Sequence, residues 1–123
     1  MRRYVTIRHV VRHTIIMPTT LLSEPVLLIL LSLASRPQHG YAILKDVEGL
    51  SDSRIKLSTG TLYGALSRLL DGRWIERVQE ESAPRGRQTY QLTPAGRSML
   101  RAEVARLQSL AHIAALRLKP RES

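Results

Sequence analysis

At 123 residues the chain has room for one domain and one core, not two. Nineteen Lys and Arg against ten Asp and Glu give a formal charge of +9 and a pI near 11.0, a balance that favours a polyanionic partner. The absence of Cys excludes disulfides, a thiolate nucleophile and zinc–thiolate sites and fits a reducing cytoplasm, while one Trp, four Tyr and no Phe are too few for a single-strand stacking platform.

Residues 1–20 hold Arg2, Arg3, Arg8 and Arg12 and no acid, and are expected to form a basic N-terminal arm. Tyr4-Val5-Thr6-Ile7 alternates weakly, which leaves a short strand as the other option. Arg8, His9, Arg12 and His13 interrupt any signal-peptide core. His9 and His13 have helical metal-ligand spacing but no third ligand nearby, so no metal is expected. Met17 directly precedes the first strongly patterned segment. It is therefore a candidate translation start, with residues 1–16 an extension, and the intact mass of natively expressed protein tests this.

Ser23 is the expected N-cap of the first helix, followed by Glu24 and Pro25 in its first turn. Val26, Leu27, Leu28, Ile29, Leu30, Leu31 and Leu33 leave almost no polar face, so this helix should be the rod of the core. Its apolar run, residues 26–31, is far short of the ~20 residues a membrane span needs. Arg36-Pro37 stops it. His39-Gly40-Tyr41 opens a second helix over residues 41–50, packed through Ala42, Ile43, Leu44 and Val47. Residues 51–53 form a loop.

The most informative stretch is residues 57–70. Ser58 is an N-cap, and Leu62, Ala65, Leu66 and Leu69 share one helical face. The opposite face carries Gly60, Gly64 and Ser67, flanked by Thr61, Tyr63 and Arg68, with no acid before Asp71. Two glycines in a helix cost roughly 1 kcal/mol each relative to alanine, which makes sense if a bulky partner approaches the backbone closely. Phosphates and base edges suit such a face. Helix, helix, short link and helix is the helix-turn-helix order.

Asp71-Gly72 should end that helix. Residues 74–78 and 87–92 read as strands, with a hairpin loop over residues 80–86, which adds a wing. Arg85 and Arg87 on its descending side can reach phosphates or a minor groove, whereas Glu80 and Glu81 must point away. Thr93-Pro94 caps a last helix running to about Leu118. Leu100, Val104, Leu107, Ala111, Ala114 and Leu118 form an a/d seam, widened by Leu110 and Ile113. The expected partner for that seam is the same helix of a second copy; the other option is a helix folded back on its own core.

With these residues laid out, residues 22–118 resemble the PadR family of transcriptional regulators. The resemblance is carried by Glu24-Pro25-Val26-Leu27-Leu28-Ile29-Leu30, His39-Gly40-Tyr41, Gly60-Thr61-Leu62-Tyr63, Arg68-Leu69-Leu70 and Tyr90-Gln91-Leu92-Thr93-Pro94-Ala95-Gly96-Arg97. It implies a winged helix-turn-helix with a C-terminal dimerising helix, of the smaller subtype, and repression relieved by a small molecule or stress signal. It also implies that Tyr41 lies near the DNA backbone, although packing with its hydroxyl at the surface is equally compatible with the sequence. Two departures stand out. The C-terminal helix has no aromatic residue to face a flat aromatic effector, and Thr89 stands where relatives commonly have a second tyrosine.

The expected fold class is thus mainly α with a small β-hairpin: a winged helix-turn-helix over residues 21–93, a coiled-coil-like dimerisation helix over residues 94–119, and a tail over residues 120–123. The expected function is a cytoplasmic, homodimeric, sequence-specific regulator on an inverted-repeat operator in double-stranded DNA, with no cofactor. Lys56, Ser58, Thr59, Gly60, Thr61, Tyr63, Gly64, Ser67, Arg68, Arg85 and Arg87 are the expected DNA-facing residues, with Tyr41 added by the resemblance. Arg68 can instead pair with Asp71. A sequence-neutral DNA-coating protein and a protein-interaction module are the competing functions. Asp and Glu are too scattered to nominate an acid/base pair for an enzyme.

Overall fold

Three of the four helices start in the same way. Ser23 Oγ accepts from Val26 N at 3.4 Å, Ser58 Oγ from Thr61 N at 3.1 Å, and Thr93 Oγ1 from Gly96 N at 2.9 Å. In each the cap residue is extended and satisfies an amide that has no partner within the helix. The computed structural model describes residues 4–7 and 22–121. In chain order these form β1 (Tyr4–Ile7), α1 (Glu24–Ser35), β2 (Gln38–His39), α2 (Gly40–Leu50), α3 (Thr59–Asp71), β3 (Ile75–Glu80), β4 (Thr89–Leu92) and α4 (Pro94–Leu118). The strands make one antiparallel sheet in the order β1-β3-β4-β2.

The core lies where α1, α2, α3 and the base of α4 meet one face of this sheet. Ile29, Leu30 and Leu33 of α1 close on Ile43 and Val47 of α2 and on Leu62, Leu66 and Leu69 of α3, all buried. Ile75 pairs with Leu92 and Arg77 with Tyr90, so period-two alternation turns these four toward the helices. On the other face Gln91 Nε2 donates to Glu76 Oε2 at 3.0 Å across the strands. Every apolar residue expected on the inner face of α3, namely Leu62, Ala65, Leu66 and Leu69, is buried.

Several expectations are corrected. Tyr4–Ile7 of the expected basic arm forms β1, which pairs with the outer edge of β3 from Tyr4↔Glu80 to Ile7↔Arg77. The β-favouring residues of this stretch satisfy backbone groups that an edge strand leaves unpaired. The remaining expectations for residues 1–20, including His9, His13 and Met17, lie outside the described residues. Before α2, the buried Gln38 donates to Ser32 O at 2.7 Å and Ser32 Oγ at 2.8 Å, which pins β2 beside β4. The hairpin strands are also displaced. β3 runs on to Glu80 and β4 begins only at Thr89, so the loop covers residues 81–88.

At the end of α3, Gly72 stays right-handed at φ −78° and Arg73 takes the left-handed turn at φ +61°. Thr93 then ties this exit to α4. Its hydroxyl donates to Arg73 O at 2.7 Å, and its amide donates to Trp74 O at 3.1 Å. Gly96 faces the same carbonyl so closely that any Cβ would collide with it. No described helix is long and apolar enough to cross a membrane.

Candidate nucleic-acid interface

The outer face of α3 is open. Ser58, Thr59, Gly60, Thr61, Tyr63, Ser67 and Arg68 are exposed and Gly64 is half-buried. A Cβ built on Gly60 meets nothing within 4 Å, and one on Gly64 meets only the tip of Arg68 at 3.7 Å. No protein atom therefore requires glycine at either place. Ser58 and Thr61 are partly committed to each other, since Ser58 Oγ donates to Thr61 Oγ1 at 2.8 Å. Arg68 makes no ion pair with Asp71, which leaves its guanidinium on the open face.

The flanking cations differ in their freedom. Lys56 Nζ is 3.9 Å from Glu48 Oε1, a loose surface pair worth little in water. Tyr41 is exposed and carries Lys45 Nζ 5.6 Å from its ring centroid, a cation–π contact at the start of α2. Arg85 and Arg87 are both exposed in the wing loop. Gly86 between them, at φ +85°, supplies the left-handed turn that sets them on the descending side, and Arg87 N donates to Pro84 O at 3.1 Å. Glu81 is exposed on the loop.

Between α3 and the hairpin runs an open groove of about 600 Å³. His39, Gly40 and Tyr41 form one end, Tyr63, Leu66, Ser67 and Leu70 one wall, and Arg77, Gly86, Arg87, Gln88 and Tyr90 the other. The sequence reading missed Arg77, Gln88 and Tyr90 as part of this surface. A signal was available: Arg77 stands two residues from Ile75, so alternation places a charge on the core-facing side of the strand. Gln88 Oε1 accepts from Arg77 Nε at 3.1 Å and from Tyr90 OH at 3.0 Å, so all three side chains are held together. Burial pushes the Tyr90 phenol above its ordinary pKa, the neighbouring Tyr63 adds to this, and the Arg77 charge opposes it.

Away from this face, α4 is 25 residues, roughly 38 Å at 1.5 Å per residue. Its base is seated in the domain. Leu100 is buried in the core of its own chain and Val104 packs against that core, which corrects Leu100 as a seam residue and leaves Val104 shared. Leu107 is half-buried, while Ala111 and Ala114 are exposed. Leu110 and Ile113 are each more than half exposed, as is Leu118, and Leu116 joins them although the sequence reading did not include it. Glu103 and Arg106 pair one turn before Leu107 and Leu110, with Nε–Oε1 at 2.7 Å.

Three helices, with the third set outward, and a β-hairpin beside it define a winged helix-turn-helix protein. The chain belongs to the transcriptional regulator PadR-like family, whose model matches residues 29–102. A PadR family transcription regulator from hypervirulent Clostridium difficile R20291 shares 24% identity at a TM-score of 0.65, over 78% of this chain and 99% of that one. A PadR family regulator from Eggerthella lenta DSM 2243 shares 30% identity at a TM-score of 0.58, over 78% of this chain and 82% of that one. An uncharacterized 37.1 kDa protein in transposon TN4556 of Streptomyces fradiae is 44% identical over 82 residues, 66% of this chain. This chain spans only 22% of the length of that relative.

Proposed function

We propose that the protein is a homodimeric, sequence-specific DNA-binding regulator, acting as a repressor that a small molecule or stress signal releases. The observation that carries this reading is the exposed outer face of α3, with no acid before Asp71 in its last turn and with room over Gly60 and Gly64 for a partner. Thr59, Thr61, Tyr63 and Ser67 read base edges, while Lys56, Arg68 and the amides of the first turn of α3 hold phosphates. Arg85 and Arg87 contact the backbone or minor groove beside it, and Tyr41 flanks them.

Two copies join through the exposed apolar stripe of α4, from Leu107 through Leu110, Ala111, Ile113 and Ala114 to Leu118. Apolar side chains repeated along a helix that extends past its own core gain most by packing on a like helix. A symmetric pair sets two copies of α3 on half-sites about 34 Å apart, so the operator is an inverted repeat.

Competition binding tests the reading. A specific regulator prefers its own site by ~10³ or more over bulk duplex, and Tyr63→Ala or Ser67→Ala narrows that gap. A chain that binds every duplex equally is a coating protein instead. The wing assignment has its own test: Arg85→Ala weakens all sequences alike and flattens the salt slope by about one unit.

A further inference from the structure

We propose that the groove between α3 and the hairpin seats one phosphate of the DNA backbone, and that Arg77 at its hairpin wall is the cation that holds it. The inference rests on the reading of this protein as a duplex binder and names a contact that the exposed wing arginines do not account for.

Arg77 is half-buried, and no carboxylate among the described residues lies within ion-pair distance of it. A partly desolvated guanidinium without a counter-charge is unfavourable, and an anion entering the groove relieves this. The side chain is also held in place. Its Nε donates to Gln88 Oε1 at 3.1 Å, and the same oxygen accepts from Tyr90 OH at 3.0 Å, which fixes the plane of the fork before any ligand arrives. A planar fork held in this way matches two oxygens of a phosphate.

The shape of the site selects which phosphate. The groove is open along its length and shares Tyr63 and Ser67 with the outer face of α3. A small free anion is poorly enclosed there. An anion carried on a large ligand that already rests on α3 enters the groove without a separate entropic cost. The backbone strand beside a major groove occupied by α3 is such a ligand. Arg77 therefore reads no base; it fixes how deeply α3 sits and how the wing is set against the duplex.

The test uses the full chain and a duplex of about 30 base pairs of mixed sequence, titrated from roughly 50 to 200 mM NaCl. Arg77→Met is expected to weaken binding about tenfold and to flatten the log–log salt slope by about 0.9 unit per chain bound. Gln88→Leu, which frees the arginine but keeps its charge, is expected to weaken binding with the slope intact. Arg77→Gln keeps a donor for Gln88 and gives the same slope measurement if the methionine variant does not fold. A slope unchanged in the neutral variants, with wild type binding normally, overturns the Arg77 assignment alone. Wild type that binds no duplex at any salt overturns the DNA-binding reading beneath it as well.

Discussion

The phenol of Tyr63 lies across the bare backbone of Gly40, so that α3 meets the first residue of α2 through an aromatic ring resting where a side chain would stand. A methyl group at Gly40 collides with the Tyr63 hydroxyl. That hydroxyl is the free end of a side chain, so the ring swings out rather than breaking the fold. Gly40→Ala is expected to cost about 1 kcal/mol in urea unfolding. It should change the sequence preference of duplex binding more than it changes stability, because the displaced ring enters the groove.

Gly64 poses the opposite case. Its Cβ has room in the free protein, so Gly64→Ala should stabilise the chain by about 1 kcal/mol through the helix propensity of alanine. If a duplex lies on that face, the same methyl takes up its space. The expected result is a higher urea midpoint together with weaker DNA binding. A variant that gains stability and binds DNA unchanged removes the close-approach reading of α3.

Gly96 has no such escape. The atom facing it is the Trp74 carbonyl, part of the backbone at the start of the hairpin. Gly96→Ala must move α4 or β3 and should cost about 3 kcal/mol or abolish folding, read by thermal melting of the purified chain.

Tyr90 sets an alkaline limit. Its folded pKa is raised above the model-peptide value of 10.0, first by burial and then by Tyr63, against the opposing charge of Arg77. The folded state therefore holds the phenolic proton more tightly than the unfolded chain. The stability this supplies is complete below the unfolded pKa and is lost as pH rises through the folded one. Melting temperature should fall as pH rises above about 10 in the wild type, and Tyr90→Phe should reduce that fall.

The exposed stripe of α4 is tested by charge. Ile113 is 54% exposed in the single chain, so Ile113→Glu should leave the melting of an isolated domain nearly unchanged. If two copies join there, the buried glutamate separates them. Sedimentation should then report single chains at micromolar concentration, and duplex affinity should drop with the loss of the second half-site.

The elements set by local chemistry were the most legible. Ser23, Ser58 and Thr93 announced three helix starts through cap residues followed by periodic apolar positions, and each cap bond is present. The apolar stripe of α3 could be read for the same reason, which made its bare opposite face visible too. What escaped depends on distant partners. For Tyr4–Ile7 the alternation left strand open beside arm, and the choice between them required the edge of β3, some seventy positions away in the pairing Tyr4↔Glu80 through Ile7↔Arg77. Gln38 carries no sequence signal for its place, which comes from Ser32 giving its amide two acceptors. Gly72 marks the helix end, yet Arg73 takes the left-handed conformation, where its carbonyl receives the Thr93 hydroxyl. Leu100 obeys the seam spacing, but the first turns of α4 are close enough to the domain for the core to take it. Of the candidate surface, the helix face followed from periodicity, whereas the groove followed from how the hairpin docks beside it.

The junction of α4 with the sheet has a mechanical meaning. Thr93 is bonded to the carbonyl of Arg73 by its hydroxyl and to that of Trp74 by its amide, and Gly96 rests against the second of these. There is no slack where the long shaft leaves the head. A tilt imposed on the shaft is expected to arrive at Trp74 as a tilt, one residue from Ile75 and three from Arg77, instead of being taken up in a soft joint.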